Sequence, residues 1–336
     1  MQQRAIYDKR YDDGSYDRRS AVRVLSAERR VLSEAVARFL VSTPKIDQLS
    51  LFDFGYGTGR VSNEFAAAFP AAVPEFSGDL RIIAFDISAA GLHKASISLV
   101  EEHQFHVLRP LVLDRTATSG YNAGSVTRLS NGMSVTVVFV HGAEHEDPKA
   151  VRCLVEEVNE GRPISITTSW YSGIAHIPTA ARRADFFEML ADLTDARGEL
   201  LIAPSVSGDL VKLQAVWAER LRRGDVGGYP IEGPGDVIYE TELGQENFYH
   251  VFGEDLEELL RANTAPHQQA WLEAIRLPDP EFLSEACEQN NYRRVQEFNR
   301  RVGRRSWRPE DYRQVHTAVA IRSGSPGEPI LSATGG

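Results

Sequence analysis

The sequence predicts an α/β chain: a doubly wound, mostly parallel sheet with helices on both faces. Three observations carry that prediction. Strand-sized apolar runs such as "LSLFDFG" (49–55), "LRIIAFDIS" (80–88) and "MSVTVVFVHG" (133–142) alternate with stretches of helical periodicity. The alternation continues over most of the chain, the order expected when each parallel strand is followed by a crossover helix. Finally, 336 residues at 42% hydrophobic and 25% charged are ordinary globular composition with room for a sizeable core.

Taken in order, residues 1–19 form a polar leader dotted with tyrosines, and 20–42 a helix with Val22, Leu25, Val31, Leu32, Val36 and Leu40 inward, ended by Pro44. A buried strand at 49–55 leads into a helix at 60–69, stopped by Pro70. The strand at 80–88 precedes a helix at 89–103. Strands at 105–114 and 125–130 then add a hairpin, with Asn131-Gly132 as its turn into the strand at 133–142. A helix over 147–161 has Asp147 as N-cap, Pro148 at its first position and Gly161 as its stop. Strand 163–171, helix 179–197 and strand 198–205 follow, then a helix at 210–224 and a strand-like stretch at 237–252. A helix at 253–263, a helical insert and a closing strand at 314–323 complete the order. The whole is a seven-stranded Rossmann-like sheet. Its parts are an N-terminal lid and helix (1–45), a core (46–263 and 309–325), a helical substrate cap (264–308) and a flexible tail (326–336).

The bulk properties exclude several classes. No apolar run approaches a membrane span, and the N-terminus lacks the apolar segment of a secretion signal. Two cysteines imply no disulfide framework, so a cytoplasmic protein is expected. A formal charge of −10 argues against a nucleic-acid-coating surface.

The most informative stretch is "LFDFGYGTGR" (51–60). Three glycines at a strand-to-helix turn mark a backbone that bends sharply and approaches a ligand closely. The dinucleotide fingerprint would require a third glycine at position 60, where Arg60 stands. An acid also lies within the strand, at Asp53. A carboxylate there disfavours a pyrophosphate and favours a ligand with a cationic amino-acid end.

This segment resembles the first motif of the class I S-adenosylmethionine-dependent methyltransferases. The resemblance covers roughly residues 49–323 and implies S-adenosylmethionine as cofactor, with S-adenosylhomocysteine as product. Asp53, Phe54, Gly55, Tyr56, Gly57, Thr58 and Gly59 would then pass under the methionine portion. Asp86, followed by Ile87, would take the ribose hydroxyls, since a carboxylate accepts from both members of a vicinal diol. Gly142, Ala143 and Glu144 would flank the adenine. In the leader, Tyr11, Tyr16 and Arg19 would fold over the cofactor as a lid. Ser169 and Trp170 close the fourth strand, where ligands of doubly wound sheets lie, and Tyr171 and His176 beyond it are the candidate proton acceptors. The fourth strand lacks the Asp/Asn-Pro-Pro-Tyr signature of base and amide methylation.

The cluster "HGAEHED" (141–147) reads as a cofactor edge or helix cap, and no metal is expected. The arginine-rich run 292–308 reads as a surface helix with one buried stripe, its RNA-binding flavour notwithstanding. The expected function is therefore methyl transfer to a small-molecule acceptor, with nucleic acid disfavoured as a partner, no membrane, and a homodimer as candidate assembly. The alternatives are a protein or RNA target, or a regulatory module that binds the cofactor without turnover.

Overall fold

The computed structural model describes residues 2–12, 25–111, 121–142, 147–170, 173–206, 210, 229–233, 235–240, 246–253, 255–256, 258–259, 268–276 and 315–323. Helix α1 (Gln2–Asp12) and helix α2 (Leu25–Ser42) precede strand β1 (Gln48–Phe54). Then follow α3 (Arg60–Ala72), β2 (Asp79–Asp86), α4 (Ala89–His103), β3 (His106–Arg109), β4 (Tyr121–Ser130) and β5 (Met133–Gly142). The second half holds α5 (Pro148–Val158), β6 (Ile164–Ser169), a 3₁₀ turn (Gly173–His176), α6 (Ala180–Leu193), β7 (Thr194–Ile202) and the two-residue β8 (Ser205–Val206). It ends with β9 (Asp236–Glu240), β10 (Glu246–His250), β11 (Gln268–Arg276) and β12 (Val315–Ser323).

Among the described residues the main sheet runs β11-β12-β7-β6-β1-β2-β5-β4-β3, with β8 beside β12. The five strands β5, β2, β1, β6 and β7 are mutually parallel, and β12 is antiparallel to both β7 and β11. Those seven form the doubly wound Rossmann-like core. Strands β3 and β4 extend it antiparallel beyond β5, through the expected Asn131-Gly132 turn, where both residues have positive φ (54° and 79°). The strand order reverses at β1, which places a ligand crevice at the carboxyl end of that strand.

Strand β1 is buried on both faces because helices cover both. Leu49 and Leu51 pack with Leu32, Val36 and Phe39 of α2 and Phe65 and Phe69 of α3. Phe52 and Phe54 pack on the other side with Val151 and Val155 of α5 and Phe186 and Phe187 of α6. Asp147 caps α5, donating no proton but accepting from the Lys149 amide at 2.9 Å, with Pro148 at the first helical position as expected.

Several expectations are corrected. Helix α3 runs through Pro70 to Ala72: Pro70 forfeits the single N–H bond to the Ala66 carbonyl, and the turn still closes beyond it through the Val73 amide on the Phe69 carbonyl at 3.0 Å. Residues 194–197 are strand, not helix: the Thr194 hydroxyl donates to the Leu190 carbonyl at 2.8 Å and closes α6, and Thr194 already pairs with Ile164. The stretch 237–252 is two strands, β9 and β10, paired with each other in a separate sheet. Inside the expected helical cap, residues 268–276 form strand β11, paired along its length with β12. The helix expected at 210–224 lies outside the described residues except for Leu210, as do the Arg-rich run and the tail. No helix of the described residues is long and apolar enough to cross a membrane.

One buried ion pair fastens α2 to the sheet. Glu199 of β7 is 1% exposed and accepts two bonds from Arg38, at 2.7 and 2.8 Å. Removing Arg38 strands a buried carboxylate, which typically costs about 3–5 kcal/mol. Arg38→Ala is therefore expected to lower the urea midpoint markedly, whereas Arg38→Met combined with Glu199→Leu restores most of the loss.

Candidate functional site

The turn after β1 is a left-handed loop. Gly55, Gly57 and Gly59 have φ of 81°, 58° and 72°, values that side chains tolerate poorly. The Gly55 and Tyr56 amides both donate to the Phe85 carbonyl at 3.0 Å, so the loop hangs from the end of β2. The Gly57 amide donates to Asp86 Oδ2 and the Ser88 amide to Asp86 Oδ1, each at 2.7 Å. One carboxylate thus holds the glycine loop and the entry to α4 together. At Gly57 the missing Cβ matters as well as the backbone angle, since a Cβ there would lie 2.8 Å from Tyr11 Oη.

Asp53 stands on the other side of the loop and is 2% exposed. Its Oδ2 accepts from the Ser62 hydroxyl at 2.5 Å, and its Oδ1 is buried with no partner. Burial pushes its pKa up to about 7, against the Ser62 and Thr168 hydroxyls, which pull it down. Burial likewise pushes Asp86 up to about 6, opposed by the Ser88 and Gly57 amides. Asp53 lines a pocket with Gly55, Tyr56, Gly57, Thr58, Arg60, Val61 and Trp170. Two further buried polar atoms on β6 and just beyond it, Ser169 Oγ and Trp170 Nε1, also lack partners. Buried polar groups are normally satisfied, so an orphaned acceptor and donor around one pocket point to a polar ligand. Arg60, at the start of α3, faces Glu28 at 3.4 Å and contributes a cation to the same wall.

The other expected residues fall as follows. The Phe54 ring turns into the core, stacked on Phe85 with centroids 5.7 Å apart, so only its backbone borders the loop. Tyr56 donates to Asn63 Oδ1 at 2.5 Å and packs edge-on against Phe139. Ile87 and Gly142 sit at the ends of neighbouring strands, linked by His141, whose Nε2–H donates to the Ile87 carbonyl at 3.1 Å. Tyr11 is buried over the glycine loop and packs with Tyr7, Ala90 and Ile87. Tyr16, Arg19, Ala143, Glu144 and Tyr171 lie outside the described residues.

The 3₁₀ turn, whose Gly173 lies against the glycine loop (3.5 Å from Gly173 Cα to a Cβ built on Gly55), carries His176 to Tyr7 of α1. The His176 Nδ1 is 2.9 Å from the Phe248 carbonyl, which can only accept, so Nδ1 carries the proton. Burial, with Arg10 nearby, lowers its pKa to about 4, so the ring is neutral at pH 7 and Nε2 is a lone pair. That lone pair accepts from the Tyr7 hydroxyl at 2.9 Å, and Tyr7 Oη in turn accepts from Asn247 Nδ2 at 3.2 Å. Helix α1 is anchored there by Asp8, which accepts from the Ser88 hydroxyl (2.6 Å) and the Ala90 amide (3.2 Å) at the start of α4. A carboxylate at that position also meets the positive end of the helix dipole.

Sequence reasoning missed Tyr7, Asp8, Asn247 and the Phe248 carbonyl as members of this group. The tyrosine spacing in the leader was the one local signal for Tyr7. Nothing local marks the others.

No protein-family model and no curated protein matches the chain. Among solved structures, a SAM-dependent methyltransferase from Methanosarcina mazei aligns over 85% of this chain and 97% of its own at 11% identity, with a TM-score of 0.43. Another from Anabaena variabilis aligns over 96% of each chain at 13% identity and a TM-score of 0.45. A SAM-bound amino pentose methyltransferase from Micromonospora echinaspora, involved in calicheamicin biosynthesis, aligns over 92% of this chain and 95% of its own, at 13% identity and a TM-score of 0.40. The chemistry that follows rests on this chain's own residues.

A cationic ligand in the pocket needs Asp53 ionised. Affinity of the pocket for a ligand carrying an ammonium is expected to rise between pH 5.5 and 7.5 as Asp53 and Asp86 lose their protons. Asp53→Asn should flatten the upper part of that rise and weaken binding at least tenfold by calorimetry. Because a carboxylate raised by burial costs stability above its unfolded pKa, the same variant should melt higher than the parent at pH 8 without ligand.

Proposed function

We propose that this chain is a class I S-adenosylmethionine-dependent methyltransferase acting on a small-molecule acceptor and releasing S-adenosylhomocysteine. The observation that carries this reading is the glycine loop bracketed by two buried carboxylates, one of them with an unsatisfied oxygen beside an unsatisfied indole N–H. Anionic pyrophosphate fits such a pocket badly, and a zwitterionic amino-acid end fits it well.

When bound, the cofactor supplies a methyl group on a positively charged sulfur, activated for in-line displacement by the acceptor. Asp53 would receive the ammonium and Arg60 the carboxylate of its amino-acid end. Asp86, its two oxygens already oriented by the Gly57 and Ser88 amides, retains lone pairs for the ribose hydroxyls. Ile87 and Gly142 would border the base, with Ala143 and Glu144 following Gly142 in the chain. Tyr7 and Tyr11 of α1 cover the loop and exclude water.

On the acceptor side, His176 Nε2 is the atom that can hold a proton given up by the acceptor. It is neutral, its tautomer is fixed by the Phe248 carbonyl, and its lone pair is satisfied by an exchangeable Tyr7 hydroxyl. With Tyr7 of α1 and Asn247 of β10 both buried, the enclosure suits a small molecule better than a folded polymer.

Calorimetry with S-adenosylmethionine and S-adenosylhomocysteine tests the cofactor, and mass spectrometry of a metabolite panel incubated with isotopically methyl-labelled cofactor tests the transfer. Micromolar binding by the parent, lost by at least a hundredfold in Asp86→Ala, is the expected result, together with label in one small metabolite. Absence of binding by the parent chain overturns the assignment, and binding without label in any metabolite, protein or RNA leaves the non-catalytic module in its place. Given a labelled acceptor, His176→Ala should lower kcat with little change in cofactor affinity.

A further inference from the structure

Among the described residues outside the candidate site, a buried charged group is centred on His250 of β10. Its Nδ1 lies 2.7 Å from Asp236 Oδ1 and its Nε2 2.7 Å from Asp255 Oδ2. A neutral imidazole has one N–H and can serve one carboxylate, so two such contacts at this distance describe an imidazolium donating to both. The carboxylates are themselves fixed. Asp236 Oδ2 accepts from the Glu232 and Gly233 amides at 2.8 and 3.0 Å, and Asp255 Oδ1 from the Gly253 amide at 2.6 Å. Arg183 of α6 completes the cluster, 3.6 Å from Asp236 Oδ1, and donates to the Ile177 carbonyl at 3.1 Å. Glu232, whose carboxylate accepts from the Ala180 amide at 2.7 Å, bears on Arg183 from the preceding loop.

This cluster sits at the open end of the β9–β10 hairpin, where His250 and Asp236 are cross-strand partners. Its Arg183 arm reaches the residue immediately after His176. Two and three positions before His250, the same strand delivers the Phe248 carbonyl to His176 Nδ1 and the Asn247 amide to Tyr7. Strand β10 therefore contacts the candidate base through its middle residue and the ionic cluster through its last.

We propose that His250 is a positioning residue for the candidate base: as an imidazolium clamped between Asp236 and Asp255, it holds β10 in the register that fixes the His176 tautomer and the Tyr7 hydroxyl. Loss of its proton leaves one of the two carboxylates facing a lone pair, and the contact opens. The two aspartates hold the His250 pKa above its ordinary 6.5 although burial opposes them and Arg183 repels, so the opening comes on the alkaline side. The sign follows from linkage. A raised histidine stabilises the fold fully below its unfolded value and ceases to do so as pH rises through its folded value. The positional link stands on this geometry; its consequence for turnover rests on the methyltransferase reading above.

Histidine-selective NMR of the full-length chain, with the ring signals of His176 and His250 assigned by single substitution, tests the link without an acceptor. As pH rises from 6 to 10, the His250 ring is expected to titrate, and the neutral His176 ring to show an inflection at the same midpoint. Asp255→Asn, which removes one anion at a half-exposed position, should move both midpoints down together by about one pH unit. Calorimetric affinity for S-adenosylhomocysteine at pH 7 should be unchanged in that variant, which separates this test from that of the cofactor assignment. A His176 signal that stays flat while His250 titrates, a His250 that does not titrate below pH 10, or midpoints unmoved by Asp255→Asn overturns the proposal. If Asp255→Asn does not fold, the parent titration alone decides it.

Discussion

The site depends on two carboxylates withdrawn from water at the tips of adjacent parallel strands. Strands β1 and β2 pair in register from Gln48 with Asp79 to Phe54 with Phe85, so Asp53 and Asp86 end up on either side of the turn that follows β1. Each pays a desolvation penalty that shows as a raised pKa. For Asp86 two backbone amides offset part of that penalty, Gly57 from the glycine loop and Ser88 from the entry to α4. The orientation of Asp86 thereby couples the glycine loop to the start of α4, while the Phe85 carbonyl holds the loop at Gly55 and Tyr56. Asp53 is different: the Ser62 and Thr168 hydroxyls offset part of its penalty, but one of its oxygens has no protein partner and is left for an incoming donor or cation. Perturbed carboxylates of this kind accumulate where a ligand supplies the missing interaction.

The covering helix follows from the same geometry. Ser88 accepts from the Gly91 amide to cap α4, and its hydroxyl proton goes to Asp8 of α1. The start of α4 is thus a docking point for α1, one residue from the Ser88 amide that orients Asp86. Docking there lays Tyr11 over Gly57, which is why Gly57 must lack a Cβ, and carries Tyr7 to His176. A change at the cap of α4 is felt at the loop, the roof and the candidate base together.

Much of this was readable in the sequence, and the unreadable part has a physical reason. Local signals identified their elements well: the Gly55–Gly59 turn, Asp147-Pro148 at a helix start and Asn131-Gly132 at a hairpin each require a particular backbone conformation from particular residues. The acid at the end of β2 was found because a strand ends there. Residues 194–197 and 268–276 were misread because helical composition was overruled by strand partners, β6 in one case and β12 in the other. Tyr7, His176 and Asn247 meet from positions 7, 176 and 247, and no local pattern encodes a contact between segments so far apart. His176 was proposed for its place after the fourth strand, not for the hydroxyl that now bonds it.

Two histidines near one hairpin are held in opposite states. His176 is buried among a phenol, a carbonyl and an amide, with Arg10 adding repulsion, and it stays neutral. His250, on the same piece of β structure, is buried but meets two aspartates that favour its charged form. If the pocket takes a cation as proposed, a base beside it has to be uncharged, because a second positive charge there would repel the ligand and leave no lone pair to take a proton. The cation that organises β10 is placed instead where two carboxylates cancel it before its field reaches the glycine loop. The hairpin can thus be held by an ionic interaction while the candidate base it positions remains neutral.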